Sequence, residues 1–95
     1  MQVVLTDRAL ADLAALRDYL AEENPTAARK QAALVLSRIA LLAEHPLLGR
    51  PGRVEGTREL VIAGTRYIAA YLIDGEFIRI LAIIHGSMMW PKLLP

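Results

Sequence analysis

Apolar residues in the first half of the chain recur every three to four positions, a spacing that predicts helices. A first helix is predicted from residue 7 to residue 23, with one apolar stripe formed by Ala9, Leu13, Leu16 and Leu20. Thr6 stands where an N-cap is expected. Asn24-Pro25 supplies a cap and a first-turn proline, so it ends this helix and begins a second one.

The second predicted helix covers residues 25–44 and is apolar on more than one face. Its main stripe consists of Ala28, Ala32, Val35, Leu36, Ile39, Leu42 and Ala43. Leu34 and Leu41 lie outside this stripe, which leaves them as candidates for contact with a partner. The two helices are predicted to form a hairpin.

The second half of the chain has strand character between residues 56 and 86. Asp74-Gly75 between apolar runs predicts a two-residue hairpin turn, and Ala63-Gly64-Thr65 predicts a three-residue connection before it. Gln2 to Leu5 predicts a further strand, expected beside the C-terminal strand because the helices then lie on one face of the sheet. The connector at residues 45–53 has two prolines and two glycines, so no regular element is expected there.

These elements define an α+β fold. A helical hairpin is packed on one face of a small, mainly antiparallel four-stranded sheet, in the order β-α-α-β-β-β. The length of 95 residues predicts that residues 1–95 form a single domain.

The predicted turn at Asp74-Gly75 also sorts the strand side chains into two faces. The face expected against the helices carries Tyr67, Ala69, Tyr71, Ile78, Ile80, Ala82 and Ile84. The other face carries Arg58, Arg66, Arg79 and His85 among aliphatic residues. Glu59 would fall among the apolar side chains, which indicates an edge strand or a bulge.

On this register Arg58, Ala70 and Arg79 form one cross-strand row. Two like charges then flank a small alanine, and no acidic residue of that face offsets them. The row therefore predicts an anion site.

Composition and charge narrow the function. The chain is 55% apolar, which is high for a small domain and indicates a partner or an oligomer. There is no cysteine, no metal-ligand spacing and no phosphate-binding glycine motif, so neither a metal nor a cofactor is expected. No apolar run is long enough to span a membrane. The net charge of +1 argues against a surface that contacts many phosphates.

Several segments together resemble one protein family. They are Glu23-Asn24-Pro25, His45 to Gly52, Thr57-Arg58-Glu59-Leu60, the strand from Tyr67 to Tyr71, and Ile83 to Gly86 with Trp90-Pro91. The chain is similar in these segments to the RelE/ParE superfamily, the toxins of bacterial type II toxin–antitoxin modules, which serve in plasmid stabilisation. The resemblance implies a cytoplasmic protein that forms a hetero-oligomer with a cognate antitoxin.

The resemblance leaves two activities open. ParE-like members inhibit DNA gyrase, whereas RelE-like members cut mRNA in the ribosomal A site. Two arginines of the RelE pattern fall here at Ile68 and near Met88 and Met89, so the chain looks more like ParE than RelE. We therefore expect a gyrase inhibitor rather than an enzyme.

The alternatives are an endoribonuclease acting with the ribosome and mRNA, and a toxin-like domain that retains only antitoxin binding. In a nuclease His85 would be the acid or base and Arg66 a cation. The residues predicted to bind the target or an anion are Arg58, Arg66, Arg79, His85, Met88, Met89 and Trp90. Those predicted to bind the antitoxin are Leu34 and Leu41.

Overall fold

The computed structural model describes residues 1–87. Its elements are β1 (Gln2–Leu5), α1 (Asp7–Ala21), α2 (Pro25–Ala40), a 3₁₀ turn (Leu41–Ala43), β2 (Arg50–Pro51), β3 (Arg58–Val61), β4 (Tyr67–Asp74) and β5 (Phe77–His85). The strands form one sheet in the order β1-β5-β4-β3-β2. β1 runs parallel to β5 and the other neighbours are antiparallel. The α+β class and the position of β1 beside β5 are confirmed, but the sheet has five strands rather than four.

The helix starts follow the predicted caps. The Thr6 hydroxyl accepts the N–H of Ala9 at 3.2 Å, and the Asn24 side chain accepts the N–H of Ala27 at 3.1 Å. Both bonds satisfy a backbone donor that the first turn of a helix leaves without a partner. Both α-helices end earlier than predicted, α1 at Ala21 and α2 at Ala40, where the chain tightens into the 3₁₀ turn.

The main core lies between the helical hairpin and one face of the sheet. Its buried members are Ala9, Leu16, Val35, Ile39, Leu42, Leu60, Ile62, Ala69, Tyr71, Ile78, Ile80 and Ile83. Ile78 and Ile80 are fully buried, as the predicted helix-facing side of the last strand requires. Burial of about a dozen such side chains is the main stabilising contribution to the fold.

The connector is more ordered than predicted, because Arg50 and Pro51 pair with Glu59 and Arg58 of β3. The expectation of no regular element there was wrong. The Tyr71 hydroxyl donates to the Pro46 carbonyl at 2.7 Å and accepts the Gly49 N–H at 2.9 Å. A buried tyrosine of the core therefore holds the connector against the end of the sheet.

The predicted turn between β4 and β5 was off by one residue. Asp74 pairs with Phe77, so the turn consists of Gly75 and Glu76. Gly75 has φ = 58° and Glu76 has no positive φ. A two-residue turn with positive φ only at its first position favours glycine there and places no such demand on the second residue. The turn therefore lies at Gly75 and Glu76 instead of Asp74 and Gly75.

The predicted faces were wrong in two places. Arg58 pairs with Tyr71 and Glu59 with Ala70, one residue from the expected register, because the β3–β4 loop has four residues. In β5 the pairing jumps from Tyr71↔Ile80 to Ala70↔Ala82, which makes Leu81 the extra residue of a β-bulge.

The register shift of β3 and the bulge of β5 each move side chains from one face of the sheet to the other. Leu60 and Ile62 of β3 join the helix-facing core, and Glu59 leaves it. Beyond the bulge of β5, Ile83 and His85 face the helices where Ala82 and Ile84 had been expected.

Candidate functional site

A cleft of about 480 Å³ lies on the helix side of the sheet, between α1 and the end of β5. The residues that line it are Asp12, Ala15, Leu16, Tyr19, Tyr67, Ile83, His85 and Ser87. We call it the His85 cleft. The β5 bulge turns His85 into this cleft, and the pairing of Tyr67 with His85 places their side chains together. The Tyr67 and His85 rings meet edge to face, with centroids 5.4 Å apart.

Hydrogen bonds at the end of β5 indicate which nitrogen of the neutral His85 ring carries the proton. The Ser87 N–H donates to Nδ1 at 3.2 Å, and the Ser87 hydroxyl lies 2.7 Å from the same atom. Since a backbone N–H can only donate, Nδ1 is an acceptor and the neutral ring carries its proton on Nε2. His85 can therefore donate a hydrogen bond from Nε2.

The surroundings of Tyr67 in the cleft shift its ionisation. Burial, and after it the nearby Tyr19, raise the pKa of Tyr67 above its ordinary value of 10.0. The phenol therefore stays protonated at neutral pH and remains a hydrogen-bond donor.

Arg66 lies at the same end of the sheet. Its carbonyl accepts the Gly86 N–H at 2.7 Å. Its side chain is exposed and lines an adjoining cleft of about 400 Å³ that shares Tyr19, Tyr67 and His85 with the first. The structure thus brings Arg66 and His85 together, while their roles as acid, base or cation stay predictions.

The predicted row of Arg58, Ala70 and Arg79 was wrong. Arg58 faces the helix side, where its guanidinium donates to the Gly49 carbonyl at 2.9 Å. Arg79 pairs with Leu72 across the strands and donates to Asp74 at 2.9 Å. A one-residue register shift moved Arg58 to the other face, and the sequence prediction overlooked the carboxylate beside Arg79.

The buried carboxylate of Glu59 holds two arginines of the connector in place. Glu59 is only 2% exposed and accepts from the Arg50 guanidinium at 3.1 Å and from the Arg53 N–H at 2.8 Å. Glu59 interrupts an apolar strand, and that misfit was the available sequence signal. The arrangement fixes two half-exposed arginines on the connector.

A second groove follows the outer edge of β3. It has a volume of about 410 Å³ and is lined by Arg38, Leu41, Leu48, Arg50, Glu59, Leu60, Val61 and Ala63. We call it the β3-edge groove. β2 covers only Arg58 and Glu59, so the strand edge at Val61 is open. Leu41 is 42% exposed in this groove, whereas Leu34 packs partly against the core.

Three predicted residues, Met88, Met89 and Trp90, lie outside the described residues. Within residues 1–87 no cluster of three or more histidine, aspartate or glutamate side chains is arranged to hold a metal ion. No helix in this part of the chain is long and apolar enough to cross a membrane.

Comparison with known proteins finds similarity to bacterial toxins. The family model of the ParE toxin of the parDE type II toxin–antitoxin system matches residues 3–90. The chain is 39% identical over 89 residues to the putative toxin Y4kP of Sinorhizobium fredii, covering 94% of this chain and 92% of that protein. It is 40% identical over 88 residues to the toxin RelE2 of Caulobacter vibrioides, covering 93% and 98%.

A solved structure from the chromosomal ParDE toxin–antitoxin system of P. aeruginosa has the same fold. The TM-score is 0.81 at 30% identity, with 90% of this chain and 95% of that chain covered. With the match over residues 3–90, these similarities establish that the chain belongs to the ParE toxin family of type II toxin–antitoxin systems.

Proposed function

We propose that this protein is a toxin that inhibits DNA gyrase by binding it in the cytoplasm and that a cognate antitoxin neutralises it. The observation that carries the choice of gyrase over mRNA is the dispersal of the three predicted arginines. Arg66 alone among them lies next to the His85 cleft, in the adjoining cleft that also contains His85. Arg58 is bonded to the connector and Arg79 to Asp74.

RNA cleavage through the 2′-hydroxyl needs a base, an acid and cations around one phosphate. The His85 cleft offers one imidazole, two tyrosines and the Asp12 carboxylate, and the adjoining cleft adds one arginine. Tyrosine and arginine in a partly apolar cleft are instead typical of protein–protein contact sites. This composition supports binding of a protein target at the cleft.

The β3-edge groove is the surface we assign to the antitoxin. An open strand edge can take up one more strand from a partner. Leu41, Leu48 and Val61 give the groove exposed apolar contacts, and Arg38 adds a positive charge beside the ion pair of Arg50 with Glu59. A segment that alternates apolar and acidic side chains fits this surface.

The second candidate function is an mRNA interferase, and two observations favour it. The structure brings His85 and Arg66 to the same cleft. Two relatives, at 40% and 35% identity, are named toxin RelE2 and toxin RelE3. On this alternative His85 would protonate the leaving oxygen and Arg66 would stabilise the phosphorane charge.

The two functions are separated by parallel assays on purified protein. We expect the toxin to inhibit gyrase supercoiling, antitoxin to relieve the inhibition, and His85→Ala to weaken inhibition less than about tenfold. A nuclease would instead cut ribosome-bound mRNA, and His85→Ala would lower the cleavage rate by roughly 10²–10⁴-fold. Lys30→Ala, at an exposed site of α2, is the control and should change neither assay.

The result that contradicts the proposal is mRNA cutting with no effect on supercoiling. Lack of both activities, with antitoxin binding retained, would indicate a domain that has kept only its antitoxin partner.

A further inference from the structure

The direction of the β5 backbone groups reverses at the bulge. Before the bulge, the carbonyls of Glu76 and Ile80 accept from the N–H groups of Gln2 and Thr6. The backbone N–H and C=O groups of even-numbered residues therefore point to β1. After the bulge, the Gly86 N–H donates to the carbonyl of Arg66, next to β4. The backbone groups of even-numbered residues there point to β4. In an antiparallel pair these directions alternate by residue, and the N–H of Ile83 therefore points to the side of β1.

β1 ends at Leu5, before it reaches the level of Ile83. The Ile83 N–H would therefore have no strand partner on that side. Asp12 of α1 fills the position, because its carboxylate accepts this N–H at 2.9 Å. Bonds to a charged acceptor are among the stronger hydrogen bonds in proteins.

We propose that Asp12 is a positioning residue that selects the bulged register of β5 and thereby keeps His85 in the cleft. In a regular β5 the Ile83 N–H would point to β4, out of reach of α1. The Asp12–Ile83 bond therefore exists only in the bulged register and stabilises it over the regular one. A regular β5 would turn His85 to the opposite face, away from Tyr19 and the cleft.

The ion pair of Asp12 with Arg8 is secondary in this arrangement. The Arg8 guanidinium lies 3.5 Å from the same carboxylate oxygen, and both side chains are partly exposed. Such a pair contributes little by itself. Loss of Arg8 should leave the bond to Ile83 in place.

The experiment compares four variants by NMR on the full chain. In Asp12→Ala we expect the Ile83 amide to exchange roughly 10- to 100-fold faster, as loss of a bond to a charged acceptor implies. The proton contact between the Tyr67 and His85 rings should weaken with it. Asp12→Asn should rescue both signals, because its amide oxygen still accepts.

Two variants are the controls. Arg8→Ala tests the ion pair, and Asp18→Ala removes an exposed carboxylate of the same helix. Both should behave as wild type.

A second measurement needs no variant, in case Asp12→Ala does not fold. In the wild-type protein, the Ile83 amide proton shift should follow protonation of the Asp12 carboxylate in acid. An Ile83 shift that ignores Asp12, or an Asp12→Ala protein that keeps the Tyr67–His85 contact whatever its Ile83 exchange rate, would overturn the proposal. These NMR measurements test the register of β5 and do not depend on the target of the protein. Any accompanying loss of gyrase inhibition would rest on the proposed function.

Discussion

Replacing Tyr71 by Phe tests how the connector is held to the sheet. The change removes one hydroxyl that is fully buried and makes two bonds, to the Pro46 carbonyl and from the Gly49 N–H. Gly49 is itself buried, and a Cβ there would lie 2.6 Å from the Tyr71 ring, so the connector packs directly against the tyrosine. The phenylalanine ring would fill the same space without either bond.

The magnitude follows from those two bonds. A typical hydrogen bond contributes about 1 kcal/mol net, and a buried donor without a partner costs about 1–3 kcal/mol. We therefore expect Tyr71→Phe to lower the free energy of unfolding by about 2–3 kcal/mol. For a domain of this size that lowers Tm by roughly 10–20 °C.

Urea unfolding followed by circular dichroism measures this difference, with Tyr19→Phe as the matched control. Tyr19 is 71% exposed, so loss of its hydroxyl should change the free energy of unfolding by less than about 0.5 kcal/mol. Amide exchange at Gly49 should accelerate only in Tyr71→Phe. An unfolding free energy within about 0.5 kcal/mol of wild type would refute the reasoning.

Two further predictions concern partner binding and pH. Leu41→Glu should weaken antitoxin binding at least tenfold, as measured by calorimetry, and should leave the fold intact, because this leucine is exposed in the β3-edge groove. An unchanged affinity would mean that the antitoxin binds elsewhere. Because the pKa of Tyr67 is raised in the folded state, its contribution to stability is complete below pH 10.0 and is lost as the pH rises through the folded-state pKa. Alkaline denaturation of wild type and Tyr67→Phe measures this, and an ordinary or lowered Tyr67 pKa would contradict it.

Much of the fold could be predicted from local sequence signals. Thr6 and Asn24-Pro25 mark helix starts because a cap satisfies nearby N–H groups, whatever the rest of the chain does. The apolar stripes of α1 and α2 repeat at the helical period, so they indicate which side of each helix is buried. These features are decided within a few residues, and the sequence displays them directly.

The candidate site depended on register, which is not local. The β3–β4 loop has four residues instead of the three expected, a difference that the local turn signals do not decide. Along the strand the consequence is large, because side chains alternate with a period of two. Arg58 and Glu59 exchanged faces for this reason.

The sequence by itself determined the helices, their hairpin, the order of the main strands and the family resemblance. Tertiary structure alone decided the bulge in β5, the pairing of Glu59 with Arg50, and the orientation of His85 toward the helices. Each of these depends on groups far apart in the chain, as the bond from Ile83 to Asp12 across 71 positions illustrates. Contacts of that kind select between registers whose local energies are similar, so they are decided only when the helices pack on the sheet.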